Sequence, residues 1–141
     1  LSDIKIAIEE YKKGEHSLVV VKDGKIVATS KDKGVRGILN VYTSNPQVLE
    51  GASVADKLMG RAVTMICELG KVKSIYTPLL SQGGEKILQR AGIKYQAERL
   101  VPAIRNRDNT DLCPIEKLTT GTEDSEEGVK RIHQFIINLA K

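Results

Sequence analysis

Residues 53–69 read SVADKLMGRAVTMICEL, a polar opening followed by a dense apolar run. Leu58, Ala62, Met65, Ile66 and Leu69 fall at helical spacing, and Ala55, Met59 and Val63 widen that stripe until one narrow polar face remains. The spacing predicts a single buried helix over the stretch. Ser53, Asp56 and Lys57 would then stand on its first turn, where backbone N–H groups are unpaired and the helix dipole is positive. Function is therefore sought at this end of the helix.

Working outward, residues 2–13 carry Ile4, Ile8 and Tyr11 on one helical face, with Ser2 or Asp3 as cap and Gly14 as stop. Ser17 to Val21 and Lys25 to Ser30 are β-branched runs joined by Asp23-Gly24, a pair suited to a type I′ hairpin turn. Gly34 to Tyr42 reads as a short helix closed by Asn45-Pro46. Downstream, Val72 to Thr77 predicts a strand stopping at Pro78, Gln82 to Ala91 a helix capped by Gly92, and Ile93–Ala97 and Leu100–Ile104 strand character. One helix starts near Pro114 and another covers Thr122 to Lys141, with acids in its first turns. This order implies an α/β mixed sheet, an antiparallel hairpin followed by parallel strands, with helices on both faces.

The 141 residues, 40% of them hydrophobic, suit one domain spanning residues 1–141 that buries about two thirds of its unfolded surface. Cys67 and Cys113 are too few for a disulfide framework, and there is neither a run of about 18 apolar residues nor a leading signal segment. The expectation is a soluble, cytoplasmic protein. Its net charge of +4 comes from basic residues spread among 18 acids, and with four Tyr, one Phe and no Trp it offers few rings for base stacking. The nucleic-acid signal is weak.

Several residues carry a chemical and a structural reading side by side. Ser53 and Asp56 fit an S-x-x-D capping pattern, which accounts for both and is also compatible with facing a pocket. Lys57 beside them is either a solvated first-turn lysine or a phosphate or carboxylate binder. Cys113 precedes Pro114 and so falls at an N-cap, with Glu116 at the third helical position and Arg105 or Arg107 nearby. It reads as a thiolate nucleophile or as a small half-buried cap. The loop Arg105, Asn106, Arg107, Asp108, Asn109, Thr110, Asp111 follows a strand and is a ligand-binding candidate, or a solvated loop held by Asx-turns. Ser81 reads as the N-cap of the helix from Gln82, and Cys67 as packing. His16 and His133 stand alone and no Cys-x-x-Cys occurs, so neither a metal nor another cofactor is expected.

The element order, together with the local sequences VADK (54–57) and NRDNTDLCP (106–114), resembles an uncharacterised prokaryotic family of small proteins with a cytidine-deaminase-like fold. The resemblance implies a three-layer α/β/α sheet over roughly residues 15–104. Zinc deaminases open the buried helix with His-x-Glu and the next helix with Pro-Cys-x-x-Cys. Here Val54-Ala55-Asp56 and Pro78-Leu79-Leu80-Ser81-Gln82 are expected at those places, so zinc chemistry is not. Two readings follow. In the first, a zinc-free pocket formed by Asp56, Lys57 and Cys113, with Ser53, Ser81 and the 105–111 loop, binds or acts on a small polar, nucleotide-like ligand. In the second, the chain is a non-catalytic interaction or homo-oligomerisation module, with the strand Lys25–Ser30 as a candidate edge. The first requires residues 53–57, 78–82 and 105–113 to meet in one hollow.

Overall fold

A computed structural model describes residues 2–106 and 108–139. The chain runs through α1 (Asp3–Lys12), β1 (Leu18–Lys22), β2 (Lys25–Ser30), α2 (Arg36–Ser44), a 3-10 turn (Pro46–Val48), β3 (Ser53–Asp56), α3 (Arg61–Gly70), β4 (Ser74–Ser81), α4 (Gln82–Ala91), β5 (Lys94–Val101), α5 (Pro114–Thr119) and α6 (Ser125–Leu139). The sheet order is β2-β1-β3-β4-β5, with β1 antiparallel to both β2 and β3, and β3, β4 and β5 parallel. This is the mixed sheet that the element order implies.

At the hairpin, Asp23 and Gly24 both take positive φ, 51° and 79°, the conformation that a two-residue type I′ turn demands. Leu18 to Val21 are all buried, because helices cover both faces of β1. On one face α1 packs against Val19, Val21, Ala55 and Tyr76. On the other, Leu18, Val20, Val54, Ile75 and Leu80 meet Ile38 and Leu39 of α2, Met65 and Ile66 of α3, Ile87 and Leu88 of α4, and Val129 and Ile132 of α6. Three layers result, with α3 at the centre of the larger helical layer. Among the described residues, no helix is long and apolar enough to cross a membrane.

The opening stretch divides differently from the helical reading. Ser53–Asp56 is a strand, all four residues buried between β1 and β4, and the helix begins at Arg61. The S-x-x-D cap is therefore absent: the residue before α3 is Gly60, and Ser53 bonds Ser74, hydroxyl to hydroxyl at 2.6 Å. Strand β4 also continues past Pro78 to Ser81. Its register with β5 pairs Thr77 with Ala97 and Leu79 with Arg99, leaving Pro78 without a partner. The first strand-like run after Gly92 and the start of the second form one strand, β5, which ends at Val101, so Pro102 to Ile104 lie beyond it.

Candidate functional site

Because β3, β4 and β5 are parallel, their carboxyl ends lie together, and this is where ligands of α/β sheets commonly bind. Asp56 ends β3 there. It is 4% exposed and its Oδ2 has no hydrogen-bond partner. Burial pushes its carboxyl well above the usual carboxylate range, against the pull of the Lys57 and Leu58 backbone N–H groups.

The N-terminus of α3 is occupied by the chain itself. Glu116, on α5, accepts from the Arg61 N–H at 2.7 Å and the Ala62 N–H at 3.1 Å, so its carboxylate fills the anion position of a helix that has no local side-chain cap. Gly60 makes this approach possible, since a Cβ there would collide with the Glu116 carboxylate and with Ile104. Burial raises the Glu116 carboxyl above its ordinary value, and the two N–H groups and Arg61 act in the opposite direction. Arg61 reaches back to this covering segment, donating to the carbonyls of Thr122 at 2.5 Å and Thr119 at 3.3 Å. What remains between the layers is a cavity of about 50 Å³, lined by Gly34, Leu58, Gly60, Ile104, Cys113 and Glu116 among others. The hollow expected around Cys113 is thus largely filled by Glu116 and Ile104.

The remaining candidates are spread out. Cys113 stands at the N-cap position of α5 as expected, but its side chain makes no cap bond. Ser81 caps α4, its Oγ accepting from the Gly84 N–H at 2.9 Å. Ser53 lies at the amino end of β3, where it lines a hollow with Lys73, Lys94 and Asp23, away from Asp56. In the 105–111 loop, Asn106 Oδ1 accepts from the Thr110 N–H, the Asn106 N–H donates to the Asp111 carbonyl, and Asp111 pairs with Lys117. Those bonds tie Asn106 and Asp111 into the loop itself, through contacts other than the i to i+2 bond of an Asx-turn. Arg105 and Asp108 are exposed, and Arg107 lies outside the described residues. Among the described residues, the stretches 53–57, 78–82 and 105–113 are not gathered around one of the hollows described: Lys57 lines one, Cys113 another, and Asp56 neither.

Lys57 has company that the sequence did not show. The turn after α1, the end of β2 and the residue after β3 converge because β1 begins where antiparallel β3 ends, Leu18 pairing with Asp56. They enclose a hollow of about 550 Å³ walled by Tyr11, Lys12, Glu15, His16, Ser17, Lys31 and Lys57. Among the described residues, no carboxylate lies within ion-pair distance of Lys12, Lys31 or Lys57. The backbone is fixed by the Lys57 N–H donating to the Ser17 carbonyl at 3.0 Å, and by Ser17 Oγ donating to the carbonyls of Ser30 and Asp32. His16 Nδ1 is enclosed without a hydrogen-bond partner. Nor does His16 stand alone in space: one carboxylate oxygen each of Glu10 and Glu15 and one of its ring nitrogens lie within 4.8 Å of one another. Periodicity could not find this group, since its members come from three connections. The one sequence signal was the basic residue directly after β3.

The fold and site define a small α/β protein on a five-stranded mixed sheet, with a basic hollow at the carboxyl end of its first parallel strand. Residues 6–136 match the family described as "TM1506: Domain of unknown function (DUF1893)", and the chain belongs to that family. It is similar to the crystal structure of a DUF1893 family protein from Thermotoga maritima, with a TM-score of 0.87 over 94% of this chain and 89% of that one. At 24% identity this likeness shows a shared fold. A weaker likeness, TM-score 0.45 and 20% identity, links 83% of this chain to 40% of a diaminohydroxyphosphoribosylaminopyrimidine deaminase/5-amino-6-(5-phosphoribosylamino)uracil reductase from the same organism. No curated protein matches the chain.

Proposed function

We propose that this chain is a cytoplasmic binder of a small anionic metabolite, its phosphate or carboxylate held by Lys12, Lys31 and Lys57. The supporting observation is that three lysines free of carboxylate partners wall one hollow. Three lysines against the single Glu15 carboxylate leave the hollow net positive, and an anion among them relieves their mutual repulsion. Tyr11 supplies one aromatic wall, which suits a nucleotide-like ligand carrying a phosphate. The reading assigns binding and no reaction, because Asp56, Lys57 and Cys113 are not gathered into one set. It requires no zinc at the starts of α3 and α4, which are Gly60-Arg61 and Ser81-Gln82.

Thermal shift against pyrophosphate and nucleoside mono- and diphosphates tests it. A ligand at 100 times its dissociation constant adds about 2.7 kcal/mol. The expected result is a rise in melting temperature for phosphorylated members and none for nucleosides, lost in Lys31→Ala/Lys57→Ala and reduced by salt. Absence of a response across the panel counts against the proposal. A second reading, homo-oligomerisation, draws on β2 lying at the sheet edge with Ile26 and Val27 exposed, although Lys25 and Lys31 oppose edge pairing. Concentration-dependent sedimentation abolished by Val27→Lys would favour it.

A further inference from the structure

We propose that Glu10, Glu15 and His16 form a binding site for a first-row divalent cation, Zn(II) foremost. Glu10 comes from the last turns of α1, and Glu15 and His16 from the connection to β1, so the three ligand atoms are brought within 4.8 Å of one another by the fold and not by one helical repeat. One imidazole nitrogen and two carboxylate oxygens are a mixed N/O set of the kind that Zn(II) accepts, and the two carboxylates offset the charge of the ion.

The second observation concerns the ring itself. His16 Nδ1 is enclosed and unbonded, in a protein whose other described enclosed side-chain polar atoms lack partners only at Asp56 and Arg61. A buried imidazole nitrogen without a hydrogen-bond partner is a group that a bound cation would satisfy. Among the described residues, the competing ion pair is that of Lys13, whose Nζ lies 3.0 Å from Glu10 Oε1. Lys13 is well exposed and three positions from Glu10, so its contact is a weak competitor for a divalent ion. Glu15 and His16 also wall the lysine hollow, so three protein ligands leave the ion's remaining positions open toward it. An anion held by Lys31 and Lys57 would complete the coordination shell.

Calorimetric titration of ZnCl₂ alone into the intact chain, in a non-chelating buffer, tests the site without reference to any anion. The expected result is one equivalent bound, weakened at least about tenfold by His16→Ala and by Glu15→Gln, and retained in Lys13→Ala and Cys113→Ser. Because a substituted chain can lose structure, the unmodified protein is also titrated with Mn(II) while amide resonances are followed; selective broadening at Glu10, Glu15 and His16 supports the site. Absence of binding, or binding unaltered in both His16→Ala and Glu15→Gln, overturns it. A separate arm adds pyrophosphate to the Zn(II)-loaded protein. Tighter binding than to the metal-free protein supports the shared shell, whereas equal affinity refutes the sharing and leaves the anion site standing.

Discussion

Glu116 and Arg61 are 55 positions apart, yet the carboxylate of one accepts from the backbone N–H of the other at 2.7 Å. A helix buried at the centre of the molecule takes its N-terminal cap from the far end of the chain. This contact joins the segment after β5 to the core, and it closes the start of α3.

Glu116→Ala leaves two N–H groups at the start of α3 without an acceptor, and the expected loss is about 1–3 kcal/mol in urea denaturation. Gly60→Ala drives the same carboxylate out by collision, so its cost should overlap with that of Glu116→Ala. The double variant is expected to fall well short of the sum, since both changes remove one contact. Full additivity would show that Glu116 does not cap α3.

Asp56 gives a pH dependence of defined sign. Its folded pKa is raised above the ordinary 3.8 by burial, so the stability associated with its protonated form is fully present below the unfolded pKa and is lost as pH rises through the folded one. Asp56→Asn cannot ionise. Its stability relative to the unaltered protein should therefore improve between pH 4 and pH 8, measured by denaturant midpoints at each pH. A difference that stays constant over that range would contradict the buried, shifted carboxyl.

The two thiols should separate cleanly. Cys67 is fully buried, and burial first and the Asp56 charge second push its pKa far up, whereas Cys113 is half-buried at the edge of the small cavity. Titration with a disulfide reagent at pH 8 is expected to modify no more than one thiol per native chain, at Cys113, and two after unfolding. Native modification at Cys67 would mean that α3 is not the buried rod described.

Much of this fold was legible in the sequence. Asp23-Gly24, the run Gln82–Ala91 with Ser81 before it and Gly92 after it, and the apolar spacing of Ala62 to Leu69 each bear a local signature that tertiary contacts reinforce. Ser53–Asp56 failed for a physical reason: four consecutive buried residues in a central strand show no alternation, and they run into helical spacing without an intervening proline. Gly60 was the boundary signal. Pro78 misled in the opposite sense, because its position takes no partner in the β4–β5 register and the strand tolerates it. Of the site, Lys57 could be singled out from the sequence; the hairpin sets Lys31 beside Ser17, but the antiparallel pairing of β1 with β3 that brings Lys57 to Lys12, His16 and Lys31 is a relation that no local pattern encodes. The role of Glu116 is equally non-local.

The location of the anion site is the claim on which the functional account turns, and amide chemical-shift mapping with pyrophosphate measures it directly. The expected pattern is saturable movement at Tyr11 to Ser17, Lys31 and Lys57, with Gly60, Arg61 and Ala62 unmoved because Glu116 already occupies that helix end. Shifts centred on Gly60 to Ala62, or none at any concentration, would contradict it.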